Sequence, residues 1–229
     1  MKYDFVLFDA DNTLFDFDLA EHLALAGALR AIGLPDDDAT EARYLSLNRP
    51  LWQAFDRGET TIAALTVERF RLLLDALDSP YDPADFNRDY LRRLGDCGQL
   101  LPGALSLVQT LAPHCTLAVI TNGVTSVQKS RFAVSPLTPY LSGVFVSQEL
   151  GVRKPEPLFF DAVCRSLGIE NRSRAVVVGD SLTSDICGAR RAGMDSILYA
   201  PGGSDSPLPT HTITALDCVS ALILGDLTE

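Results

Sequence analysis

Five short apolar runs fix what this chain can fold into: residues 3–8 (YDFVLF), 115–120 (CTLAVI), 143–147 (GVFVS), 174–179 (RAVVVG) and 195–199 (DSILY). Each is rich in β-branched or aromatic residues and nearly continuous in its apolarity. That is the pattern of parallel strands covered on both faces of a sheet. Helical stretches lie between the later runs, over 103–112, 125–133, 156–168 and 183–192. The last two close on Gly168 and Gly193, and proline near a start with glycine just past an end is the expected helix punctuation. Strand alternating with helix predicts an α/β fold built on a doubly wound, mostly parallel sheet.

Residues 18–97 break this rhythm. They carry no convincing strand, and helices are expected over 19–32, 38–57, 60–77 and 83–95, with breaks at Gly33-Leu34-Pro35, Gly58 and Ser79-Pro80. An all-helical insert after the first strand predicts a cap domain of residues 18–97 over the sheet's carboxyl edge. The core domain is then 1–17 with 98–229. The tract PGGSDSPLPT at 201–210 reads as a loop before a terminal helix near 214–224.

Composition narrows the partners. At 229 residues the chain is long enough for one large domain or for a core with an insert, and 47% hydrophobic residues against 21% charged suit a globular protein. A formal net charge of −11 argues against a nucleic-acid polymer, which needs a basic surface. A small phosphorylated substrate remains compatible if the site has local cations. The five cysteines are odd in number, widely spaced and without a C-x-x-C pair. They read as small buried hydrophobes in a reducing compartment. MKYDFVLFDAD has no signal-peptide pattern, and no apolar run approaches the roughly 18–20 residues of a membrane span. The expectation is a soluble, cytoplasmic protein with no membrane partner, compatible with a monomer or a dimer.

In open α/β sheets ligands bind beyond the carboxyl ends of the strands. The first run is followed by Asp9, Asp11 and Thr13, the second by Thr121-Asn122-Gly123. The third leads into GVRKPEP, with Lys154 before two prolines; the fourth is followed by Asp180-Ser181 and then Asp185. All four clusters are expected to converge on one edge. Asp9, held rigidly at a strand end, can attack phosphorus to give an aspartyl-phosphate. Asp11 can protonate the departing oxygen and later deprotonate the hydrolytic water. Two unit charges about 4 Å apart interact by roughly 4 kcal/mol at an effective dielectric near 20, so acids beside a phosphate call for compensation. Mg²⁺ supplies it, with Asp9 and Asp180 as direct ligands, the Asp11 main-chain carbonyl beside them and Asp185 holding a coordinated water. Lys154 adds a second positive charge. Thr121, with the backbone N–H groups of Asn122 and Gly123, can bind phosphate oxygens.

Asp9-x-Asp11-x-Thr13, Thr121-Asn122-Gly123, Lys154-Pro155 and Gly179-Asp180…Ser184-Asp185 together resemble the four ordered motifs of the haloacid dehalogenase superfamily of phosphatases. The helical insert is similar to that family's type 1 cap. More narrowly, DADNTLFDFD, NRPLW at 48–52, LPGAL at 101–105 and VITNGVTSVQ at 119–128 resemble YjjG-type pyrimidine 5′-nucleotidases. The resemblance implies a Mg²⁺-dependent phosphomonoesterase acting on small nucleoside 5′-monophosphates such as dUMP, dTMP, UMP and non-canonical pyrimidines, in a house-cleaning role. The same chemistry on a sugar phosphate or phosphoglycolate is the alternative. Dehalogenation is disfavoured, because the resembling dehalogenases lack an acid at the Asp11 position. A phospho-accepting receiver module would need neither that acid nor an insert of this size. Asn48, Arg49 and Trp52 are compatible with a nucleoside pocket, and equally with a cap-core tryptophan beside surface polar groups. Asp185 also suits the first turn of a helix, where the dipole favours an acid.

Overall fold

The computed structural model describes residues 2–225. Met1 and residues 226–229, the two ends of the expected core domain, lie outside the described residues. In chain order the elements are β1 (Phe5–Phe8), α1 (Phe17–Ala31), α2 (Asp38–Asp56), α3 (Ile62–Ala76), α4 (Pro83–Asp96) and α5 (Ala104–Leu111). Then come β2 (Thr116–Thr121), α6 (Thr125–Val134), β3 (Val144–Val146), α7 (Ser147–Leu150), α8 (Pro157–Leu167) and β4 (Ala175–Gly179). The chain ends with α9 (Cys187–Arg191), β5 (Asp195–Tyr199), β6 (His211–Ile213) and α10 (Cys218–Leu224). Two compact units result: residues 1–16, 99–125 and 132–229, and residues 17–98 with 126–131.

The first unit is built on one sheet of order β3-β2-β1-β4-β5-β6, parallel at every pairing. The chain winds outward from β1 to β3 and then returns to the other side of β1 with β4. β1 and β4 therefore flank the point where the winding reverses, and the crevice beyond their carboxyl ends is where such sheets bind ligands. Alternate residues serve the two faces. Val6, Phe8, Leu117, Val119, Val176, Val178 and Ile197 pack with Leu107, Val108, Leu111, Val219 and Ile223 of α5 and α10. Leu7, Ala118, Ile120 and Val177 pack on the opposite face with Phe159, Phe160 and Val163 of α8 and Ala189 of α9. At about 1.5–3 kcal/mol for each fully buried large side chain, this two-sided burial is what makes the strands apolar without alternation.

Two segments depart from the sequence reading. The five expected strands are present, but a sixth, β6, pairs with Ile197–Tyr199 of β5 in a stretch read as the approach to the last helix. Three residues are too few to show a period, so only the pairing reveals the strand. The last helix accordingly starts at Cys218 rather than near 214. The helix expected over 183–192 opens as a π turn, Leu182–Ile186, with regular α-helix only from Cys187. Asp185 therefore sits inside that wider turn and not in the first turn of an α-helix.

The second unit is all helical. Asp37, Thr61 and Asp82 cap α2, α3 and α4 by accepting from the backbone N–H groups of Thr40, Ala64 and Ala84, and Pro83 takes the first helical position. Its centre is aromatic: Tyr44, Phe70, Phe86 and Tyr90 are buried, and the Arg69 guanidinium lies 4.6 Å and 4.7 Å from the ring centroids of Phe70 and Tyr90. Among the described residues no helix is long and apolar enough to cross a membrane.

Candidate active site

β1 and β4 deliver their acids by direct continuation. The Asp9 N–H donates to the Val178 carbonyl at 2.8 Å, so the nucleophile candidate is still held by the sheet. The chain then turns tightly: the N–H groups of Leu14 and Phe15 both donate to the Ala10 carbonyl, and the Leu14 and Phe15 side chains are fully buried. Asn12 takes a φ of 58°, a left-handed conformation that asparagine tolerates. Phe15 packs edge-on against Phe132, with centroids 5.1 Å apart, and so belongs to the core of the sheet unit. Asp11 is partly exposed on this turn.

Thr121, at the end of β2, is 1% exposed and its hydroxyl oxygen accepts from the Gly123 N–H at 2.9 Å. Asn122 does something the sequence did not reveal. Its amide nitrogen donates to the Lys154 carbonyl at 2.9 Å, and its oxygen accepts from the Lys154 N–H at 3.0 Å. This two-way clasp locks the Lys154 main chain to the end of β2 across 32 residues. On the far side, α9 approaches the same segment through Gly188, where a Cβ would stand 2.6 Å from the Phe160 ring and 3.3 Å from the Pro155 Cα.

The Lys154 side chain then fills the middle of the site at 1% exposure. Its ammonium donates to Asp9 Oδ1 at 2.5 Å, Asp185 Oδ1 at 2.7 Å and the Ile120 carbonyl at 2.9 Å. An ammonium has three protons, and here all three have acceptors. Burial alone would lower the pKa of this lysine, but Asp185 and then Asp9 outweigh it, and the group is held charged. Ile120 and the Ser181 N–H, which donates to Asp185 Oδ2 at 3.1 Å, are site groups that motif reading missed, because both are main-chain atoms.

Asp9, Asp180 and Asp185 each present a carboxylate oxygen, and these atoms lie within 4.8 Å of one another. These residues would hold a small divalent cation, which takes oxygen ligands of this kind. The electrostatics ask for one. Burial pushes the Asp9 carboxyl well above the usual range; Lys154 pulls it down, while Asp185, Asp180 and Asp11 push it further up. Lost hydration, with the charge of Asp185, pushes Asp180 up to about 7. Among the described residues, Asp9, Asp180 and Asp185 all draw on the charge of the Lys154 ammonium. Both Asp185 oxygens are already engaged, which leaves Asp9 and Asp180 as the better direct ligands. The donor set is all oxygen and suits a hard divalent cation.

The remaining sequence candidates lie in the helical unit. Asn48 is 4% exposed and donates to Glu21 Oε1 at 3.0 Å. Arg49 is exposed. Trp52 is partly buried and packs edge-on against Phe55, with centroids 5.7 Å apart, beside Ile62 and Leu65. Asn48 and Trp52 share a face of α2, one turn apart.

A family model described as haloacid dehalogenase-like hydrolase matches residues 3–193. The chain is 34% identical over 236 residues to the pyrimidine 5′-nucleotidase PynA of Streptococcus pneumoniae, with both chains covered in full. It is 30% identical to the pyrimidine 5′-nucleotidase YjjG of Escherichia coli, over 97% of this chain and 99% of that one. Among solved structures it is similar to the HAD-hydrolase YfnB of Bacillus subtilis bound to magnesium. The TM-score is 0.92 at 32% identity, over 97% of this chain and 99% of that chain.

Proposed function

Since the chain belongs to the haloacid dehalogenase-like hydrolase family, we propose that it is a magnesium-dependent phosphomonoesterase of nucleoside 5′-monophosphates. Pyrimidine nucleotides such as dUMP, dTMP, UMP and non-canonical pyrimidines are the favoured class. The observation that carries this reading is the buried contact of Lys154 with both Asp9 and Asp185, beside Asp180. Its support for a nucleotide substrate is the likeness to two pyrimidine 5′-nucleotidases.

The chain's own residues carry the reaction in two steps. Asp9 attacks phosphorus, the bond from phosphorus to the nucleoside oxygen breaks, and Asp11 gives that oxygen its proton. Asp11, now ionised, takes a proton from water. The resulting hydroxide attacks phosphorus, the Asp9–phosphorus bond breaks, and inorganic phosphate leaves. The Thr121 hydroxyl and the Asn122 N–H receive the equatorial oxygens, joined by the Gly123 N–H once it leaves the Thr121 oxygen. Lys154 keeps Asp9 in one rotamer and offsets its charge. Asp9, Asp180 and the Asp11 carbonyl would hold Mg²⁺, with Asp185 supporting a coordinated water; when bound, the ion offsets the charge of acids and phosphate together. Substrate selection is assigned to the helical unit as the cap, with Asn48, Arg49 and Trp52 as the nucleoside contacts. The substrate is a small molecule of the cytoplasm.

The test is a panel of phosphomonoesters, with Mg²⁺ and with EDTA. The expected outcome is turnover of dUMP and dTMP that disappears with chelator. A higher kcat/KM on sugar phosphates or phosphoglycolate overturns the nucleotide assignment, and full activity in EDTA overturns the metal.

A further inference from the structure

Gly179 is the last residue of β4, paired with Leu198 of β5 in ordinary extended backbone. Its φ is not among the positive values of the chain, so nothing in the backbone demands glycine there. Alanine ought to be tolerated, since glycine weakens a strand interior. The space is the obstacle. A Cβ at this position would stand 2.3 Å from Asp185 Oδ2, 2.4 Å from Asp185 Cγ and 2.7 Å from Asp185 Cβ. All three are far inside van der Waals contact, and they make up most of the aspartate side chain. Asp185 is fully buried, with one oxygen on the Ser181 N–H and the other on the Lys154 ammonium, so a shift of its carboxylate disturbs both bonds.

We propose that Gly179 is a positioning residue for phosphoryl transfer: the space left by its absent side chain is the seat of the Asp185 carboxylate, and through it of Lys154 against Asp9. The inference rests on the phosphatase reading above. It extends that reading to a residue that touches neither substrate nor cation. With the seat filled, Asp185 swings off Lys154, the ammonium retains Asp9 as its one carboxylate partner, and the nucleophile is drawn from its working position. A displacement of about 1 Å at a reacting group can cost about a hundredfold in rate.

The experiment is a double-mutant cycle of Gly179→Ala and Asp185→Ala. It is read by kcat/KM on p-nitrophenyl phosphate, by Mg²⁺ binding in a calorimeter, and by Tm in EDTA. Gly179→Ala alone is expected to lose about a hundredfold in kcat/KM, to weaken Mg²⁺ binding and to lower Tm. In the Asp185→Ala background, where no carboxylate meets the new methyl group, it is expected to change kcat/KM less than about threefold and to leave Tm in place. Near-wild-type turnover of Gly179→Ala, or an equal loss in both backgrounds, overturns the proposal. If Gly179→Ala does not fold, recovery of a folded protein in the double variant supports the seat, and continued failure beside a folded Asp185→Ala overturns it. Wild-type turnover tests the phosphatase reading separately, because the Tm comparison decides the seat with or without activity.

Discussion

Lys154 Nζ lies 2.5 Å from Asp9 Oδ1, although 145 residues separate the two in sequence. The remaining protons of the ammonium are taken by Asp185 and the Ile120 carbonyl. A lysine so saturated has no spare donor for a phosphate oxygen. In the proposed reaction it would serve through its charge and through the position it imposes on Asp9, and would give a hydrogen bond to phosphate only by releasing one of these partners. Exposed ion pairs contribute little because water competes for both ends. Here both ends are sealed, and removing one leaves the other stranded.

Lys154→Met keeps the length of the side chain and removes its charge. Breaking a buried pair typically costs about 3–5 kcal/mol, and the expected loss of stability in EDTA is near the lower figure because two acids can share a proton. Turnover of p-nitrophenyl phosphate is expected to fall by at least about a hundredfold. Urea denaturation and steady-state kinetics check the two effects; a stable and active variant removes the central role given to this contact.

The pH dependence follows from Asp180, whose carboxyl is pushed up to about 7. An acid with a raised folded-state pKa binds more protons in the native than in the unfolded chain between its two values. Its stabilising contribution is therefore present below the unfolded value near 4 and is lost as pH rises through about 7. Metal-free protein is expected to lose Tm between pH 5.5 and 8, and Asp180→Asn is expected to flatten that slope. Mg²⁺ takes the ionised form, so its binding should release protons at pH 6 and almost none at pH 8.5. Thermal melts and calorimetry in buffers of different ionisation heat measure both. A slope unchanged in Asp180→Asn contradicts the assignment.

The strands that carry Asp9, Thr121 and Asp180 were legible because burial on both faces leaves an apolar run, and the polar residues that end each run stand at one sheet edge by necessity. What stayed hidden depends on tertiary neighbours. β6 is three residues whose identity as a strand comes from β5 alone. Asn122 reads as a phosphate-loop residue, yet its side chain is spent on the Lys154 main chain, a pairing no spacing reveals. The wide turn at 182–186 carries Asp185 into contact with Ser181 and Lys154, partners that its own spacing does not show. Arg69 is 2% exposed, and its partners Tyr44 and Asn87 lie on other helices, 25 and 18 residues away.

The proposed reaction gives Asp11 a different task from Asp9, and substitutions separate them. Asp9→Asn is expected to abolish turnover and keep the fold, because an amide is a poor nucleophile toward phosphorus. Asp11→Asn keeps the nucleophile but loses the proton carrier, so both half-reactions slow, by about 10²–10⁴. The loss should be smaller on p-nitrophenyl phosphate than on dUMP, because nitrophenolate departs without a proton. Pre-steady-state bursts of nitrophenolate distinguish the two steps. Equal losses on both substrates count against Asp11 as the acid.

The helical unit offers a last prediction about stability. Arg69 donates to the Tyr44 hydroxyl at 3.1 Å, the Asn87 side-chain oxygen at 3.3 Å and the Thr66 carbonyl at 3.2 Å. Tyr44 in turn donates to Glu21 Oε1 at 3.0 Å, so α1, α2, α3 and α4 meet in one buried polar chain. Burial pushes the Glu21 carboxyl up, and the Tyr44 hydrogen bond and the Arg69 charge restrain it. Arg69→Met fills similar volume but takes a donor from the Tyr44 and Asn87 oxygens and leaves Glu21 without its nearby charge. The expected cost is about 3 kcal/mol. Arg71, on the same helix, makes comparable contacts to Glu68 and Asp75 in solvent, and Arg71→Met is expected to leave stability near that of the wild type. Urea denaturation of the two variants side by side decides the matter. Equal losses mean that the buried chain contributes no more than a surface pair.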